Sequence, residues 1–186
     1  MGDGADGYLV VGRNERPLPE LYVLRPFLPA VTGHRAHGDG WQVWELGADA
    51  AVTDSVTLLV DITAATGAPS LLGSVLDAGY AAVEGFSAAG GYWETPVPVG
   101  SADPHAVEEV ARRAARWAAA ARHEVPADPI AEFLRRPPCT RPEGLLDELL
   151  RLLGLPGTAQ TRDQGAPEPK TAAATGNGAP RSRRPG

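Results

Sequence analysis

The chain has one cysteine, Cys139, and one lysine, Lys170, in 186 residues. A single thiol forms no internal bridge, which excludes a disulfide scaffold and fits a reducing compartment. Cys139 lies in the proline-rich joint RRPPCTRPE with no CxxC partner, so it reads as a loop cysteine rather than a nucleophile. Long apolar runs are missing as well. YLVV and VTLLVDITAA, the second interrupted by Asp61, fall far short of the ~20 residues that cross a bilayer. The start MGDGADGY lacks the positive flank and apolar segment of a secretory signal, and Asp6 stands where a myristoylation pattern needs Ser or Thr. A cytoplasmic chain without membrane association is expected.

Signatures of nucleotide binding and hydrolysis are also missing. GRNERP has one glycine and no Lys-Ser/Thr helix start, and neither G-x-S-x-G nor H-E-x-x-H occurs. Sixteen arginines against one lysine, with abundant Ala and Gly, are the mark of a GC-rich bacterial coding sequence. Arginine count is therefore poor evidence for phosphate contacts. The basic clusters are Arg135, Arg136 and Arg141, and Arg181, Arg183 and Arg184; no aromatic is interleaved with them for base stacking. With a net charge of −6, nucleic acid is not an expected partner, and no cofactor is implied.

What is present is one domain's worth of patterned sequence. Residues 1–7 are rich in Gly and Asp, 8–156 carry the periodic segments, and 157–186 fall to Ala, Gly, Pro, Thr, Gln and charge. The last segment has too little apolar surface to offset its ordering entropy and is expected to be disordered. The middle ~150 residues suffice for a core burying roughly 70% of the unfolded surface. YLVVGR and WQVWELG read as two N-terminal strands, with GHRAHGDG a loop between them. SLLGSVL and the hairpin YAAVEGFSAAGGYWETPV read as a three-stranded meander. A helix is expected from Asp54 to Gly67, and another from Asp103, where Pro104 and two glutamates open a stripe through Val107, Ala111, Ala114, Trp117 and Ala121. Shorter helices follow at 128–136 and 141–154, the last with leucines over more than half its circumference. The expected class is α+β: an antiparallel sheet of about five strands with helices packed on one face.

Two groups of residues are candidates for chemistry. Folding the hairpin about Ala88–Gly91 puts Tyr80, Ala82, Glu84 and Phe86 opposite Val99, Val97, Thr95 and Trp93. Glu84 then stands in a mostly apolar row facing Thr95, with Glu94 on the other face. A carboxylate there would suit acid–base work or ligand binding alongside Tyr80, Tyr92 and Trp93; otherwise it lies at the row's wet end. His34, His37 and Asp39 are metal-ligand types in a loop, although HxxHxD matches no zinc spacing and a polar turn explains it equally. The leading functional expectation is a protein-interaction module of accessory, regulatory or immunity type, binding through the sheet face or the leucine-rich terminal helix. The alternative is an acid–base enzyme or small-ligand binder centred on Glu84. Oligomeric state is left open.

Overall fold

The structure is a computed structural model describing residues 7–77, 80–99, 103–137 and 142–155. Cys139, Arg141 and the expected disordered tail lie outside the described residues. The rest is an α+β fold built on one antiparallel sheet of six strands, in the order β2-β3-β1-β4-β5-β6.

Strand β1 (Gly7–Arg13) is central because its apolar run leaves it no polar face. Val10 and Val11 point to opposite sides and are both at most 1% exposed. It pairs with β3 (Trp41–Gly47) through seven residues, and with β4 (Ser70–Asp77) through a seam of four, Tyr8↔Ser74 to Val11↔Leu71. Leu71 and Leu72 repeat the pattern on β4. Adjacent apolar residues on these strands put apolar surface on each face of the sheet, and both faces are covered.

Here the expectation of helices on one face meets a different arrangement. Helix α1 (Ser55–Thr66) packs across β1, β4 and β5 on one side, burying Leu58, Leu59 and Ile62 together with Val10, Leu18, Leu24 and Leu72. Helices α2 (Pro104–Ala120), α3 (Ala127–Leu134) and α4 (Pro142–Leu152) cover the other side, over Val11, Trp41, Val43, Leu71, Val83 and Trp93. The helix ends follow their sequence signals. The Asp54 carboxylate accepts the Thr57 N–H at 2.9 Å, and Asp103 accepts that of His105 at 3.0 Å ahead of Pro104. On α2, Trp117 is fully buried and its indole N–H donates to the Ser70 carbonyl at 2.8 Å. Gly154, at φ +86, closes α4 by letting the Leu155 N–H reach the Leu150 carbonyl at 3.0 Å.

The strand beyond the expected five is β2 (Val31–Ala36), most of which lies in the expected GHRAHGDG loop. It is an edge strand in which Thr32, His34 and Ala36 face solvent, so no apolar alternation announces it. Between β1 and β2, Leu18–Glu20 and Tyr22–Ala30 wind as 3-10 turns, with Pro19, Pro26 and Pro29 inside them denying the amide donors an α-helix needs.

The hairpin β5 (Tyr80–Ser87) and β6 (Gly91–Val97) corrects the expected register by one residue. Its turn is Ala88–Gly90: the Ser87 hydroxyl accepts the Gly90 N–H at 2.9 Å, and Gly91 re-enters the strand at φ +72. The pairs are therefore Val83↔Thr95, Glu84↔Glu94, Gly85↔Trp93 and Phe86↔Tyr92. The core row of β5 is the small-residue one, Ala81, Val83, Gly85 and Ser87, all buried on the side of the sheet that α2 and α4 cover.

Candidate functional site

The register places two carboxylates side by side. Glu84 and Glu94 are directly opposite on neighbouring strands, on the α1 side of the sheet. Glu84 is half-buried and Glu94 exposed. Like charges in this position repel unless donors or cations intervene. Two hydroxyls do so. Ser55, the first residue of α1, donates to Glu84 Oε2 at 2.6 Å, because the helix starts directly above β5. Tyr92, two residues before Glu94 on the same face, puts its hydroxyl 2.7 Å from Glu84 Oε2 and 2.7 Å from Glu94 Oε2.

Counting protons defines the electrostatics of this cluster. Three short oxygen–oxygen contacts share the two hydroxyl protons of Ser55 and Tyr92, since each hydroxyl donates once. Partial burial, with the carboxylates of Glu94 and Glu84 as acceptors and neighbouring charges, pushes the Tyr92 phenol above its ordinary 10, so it keeps its proton. Arginine pairs several acidic side chains elsewhere: Glu45 and Asp147 with Arg35, Glu108 with Arg135, Glu109 with Arg113, and Glu148 with Arg136. Among the described residues no such ion pair reaches Glu84 or Glu94. The cluster can therefore accept a cationic group, which would add the missing donors.

Beside the cluster is a half-open cleft of about 440 Å³, lined by Gly7, Tyr8, Ala48, Val52, Ser55, Leu72, Ser74, Val75 and Glu84. Glu84 is its one carboxylate; Tyr8, Ser55 and Ser74 add hydroxyl-bearing side chains to apolar walls. A wider, shallower groove of about 700 Å³ lies between Arg16 and Arg25, with Leu21, Leu28 and Trp44 on its floor.

Of the expected residues, the structure brings together Glu84 and Tyr92 and adds Glu94 and Ser55. Glu94, expected on the opposite face, comes across through the shorter turn. Ser55 had no signal beyond its place after a helix cap, and only tertiary packing makes it a neighbour. Tyr80 is 45% exposed at the start of β5, roughly 13 Å along the strand from Glu84. Trp93 is buried on the other face, where its indole lies over Gly85. His34 stacks on Trp44 with ring centroids 4.7 Å apart, and the Asp39 carbonyl accepts from Arg13 Nε at 2.7 Å. His37 opens the turn between β2 and β3, its backbone N–H donating to the Trp41 carbonyl at 2.7 Å. Among the described residues no three or more His, Cys, Asp or Glu gather so as to hold a metal ion, those at 34, 37 and 39 included. The leucines of α4 turn inward: Leu145, Leu146, Leu149 and Leu150 are core residues, as is Leu153 just past the helix, and Leu152 packs against them, so the described side chains of that helix leave no free apolar face.

No protein-family model, curated protein or solved structure matches the chain.

Proposed function

We propose that the chain acts by binding, and that its site is the α1-side face of the β5–β6 hairpin, which takes a guanidinium or ammonium group of a protein partner. The observation that carries this reading is the proton shortfall at Glu84, Tyr92 and Glu94, where two carboxylates and a phenol sit within hydrogen-bond distance and no cation among the described residues is paired with them. An arginine arriving there brings up to five N–H donors in a planar fork. This narrows the interaction-module reading to one surface and one chemistry of partner.

The test is an NMR titration of the ¹⁵N-labelled chain with tetra-arginine and, separately, tetra-glutamate. The expected result is arginine-dependent shifts confined to amides around Ser55, Glu84, Tyr92 and Glu94, abolished in Glu84→Gln/Glu94→Gln. Shifts spread evenly over the acidic surface would reduce the effect to net charge and sink the reading. The neighbouring cleft favours a second reading, a small amine-bearing ligand with an apolar body. A monoamine of that kind that shifts Leu72, Ser74 and Val75, where the peptide does not, would select it.

A further inference from the structure

Helix α1 lies over β1, β4 and β5 and stops short of the edge strand. On its side of the sheet, β6 leaves Glu94 and Pro96 exposed and Tyr92 half-exposed, with Phe86 and Glu84 half-buried beside them on β5. Among the described residues no helix covers this strip of sheet, which is negative at Glu84 and Glu94, and the chain itself carries a segment of opposite sign. Residues 156–186 hold five cations, Arg162, Lys170, Arg181, Arg183 and Arg184, against Asp163 and Glu168, a net +3. Since the whole chain is −6, residues 1–155 carry −9. The positive charge is concentrated at RSRRPG, where three arginines occur in four residues without a carboxylate.

We infer that the RSRRPG segment, Arg181–Gly186, occupies the β5–β6 face of its own chain and competes there with the cationic partner. The inference rests on the binding function proposed above and adds its regulation. Reach permits the contact. About 26 residues separate Leu155 from Arg181, a contour of roughly 85 Å. A domain of this size measures about 30–40 Å across, so the arginines reach either face from Leu155. Tethering places them near the site at an effective concentration of about a millimolar or more, enough to populate a contact that would be negligible between separate molecules. Arginine suits the strip in geometry as well as in sign, because its planar fork can donate to two carboxylates at once and its flat face can lie on the Tyr92 ring.

The decisive experiment uses the full chain with a nitroxide at Gly186→Cys in a Cys139→Ser background, reading paramagnetic broadening of ¹⁵N amides at low salt. Broadening should concentrate on residues 84, 86, 92 and 94, and disappear both in Glu84→Gln/Glu94→Gln and at ~1 M salt, where the Debye length is about 3 Å. Broadening elsewhere, or none, overturns the inference. So does broadening of a ¹⁵N chain by an unlabelled, spin-carrying second copy, which would make the contact intermolecular. A companion titration separates this result from the function it rests on. Tetra-arginine should bind the Arg181→Ser/Arg183→Ser/Arg184→Ser chain about two- to threefold more tightly than the wild type, as release of the competitor requires. Equal affinity with shifts still at the strip leaves the binding site standing and removes the cis contact. Absence of binding to either chain removes both.

Discussion

Tyr92 is the residue on which the strip turns, and its hydroxyl ties pH to stability. In the unfolded chain the phenol ionises near 10, whereas in the folded chain burial and the two carboxylates hold it protonated to higher pH. Above pH 10 the unfolded state therefore binds fewer protons, and stability falls as pH rises. The contribution is fully present below that point. Denaturation midpoints between pH 8 and 11 should decline less steeply for Tyr92→Phe than for the wild type. At neutral pH the same substitution removes the donor between Glu84 and Glu94 and should cost about 1 kcal/mol. Adding Glu94→Gln should recover part of this, because the remaining loss is repulsion across the strand pair. A double variant no more stable than Tyr92→Phe would show that the two charges do not feel one another. Glu84 itself was visible in the sequence as an anomaly among apolar neighbours. Tyr92 was a candidate beside it, but Glu94 was not, because a one-residue change in turn length moves every cross-strand neighbour and the Ala-Ala-Gly-Gly turn accommodates either length; Ser55 becomes a neighbour only through tertiary packing.

Among elements, α2 was the most legible and the hairpin the least. The Asp-Pro start, the alanine stripe and Trp117 specify one helical face, and that face is the buried one. Trp117→Ala should cost about 3–5 kcal/mol in chemical denaturation, since it empties the largest fully buried side chain and leaves the Ser70 carbonyl without its indole donor. In the hairpin the signal is inverted. Gly85 is in the core row because the Trp93 indole lies across it, and a methyl built there would collide with the ring. A small residue thus marks the packed face and larger ones, Glu84 and Phe86, the open face, opposite to what side-chain size suggests. Gly85→Ala should destabilise by about 1–3 kcal/mol. If its midpoint matched the wild type, Trp93 would not be resting on that glycine.

For the whole molecule, the antiparallel α+β class was readable because hairpin turns and helix caps are local. The placement of helices on both faces was not, even though LVV in β1 and LL in β4 carried the cue, since adjacent apolar residues also occur in strands covered on one side. The helix stop at Gly154 was legible, and the glycine sits there at φ +86. Leu155 beyond it is fully buried, so the packed unit includes it. Truncation after Thr158 should shift the thermal midpoint by no more than about 2 °C, the size of a weakly held tail. Truncation after Leu152 removes Leu153 and Leu155, both fully buried, and should lower it by several times as much. Equal midpoints for the two truncations would place the boundary earlier.

The seam between β1 and β4 has a further consequence. The strands before it, β2, β3 and β1, and those after it, β4, β5 and β6, share one ladder of four residue pairs, while β1–β3 and β5–β6 are each seven pairs long. What joins the halves is mainly side chains: Trp117 against Trp41 with ring centroids 5.9 Å apart, and α1 lying across the seam. Amide hydrogen exchange should therefore be able to divide the protein. With both clamps in place, the two ribbons should release their slowest amides together. With Trp117 cut to Ala, they should let go at separate denaturant concentrations, each as its own cooperative unit.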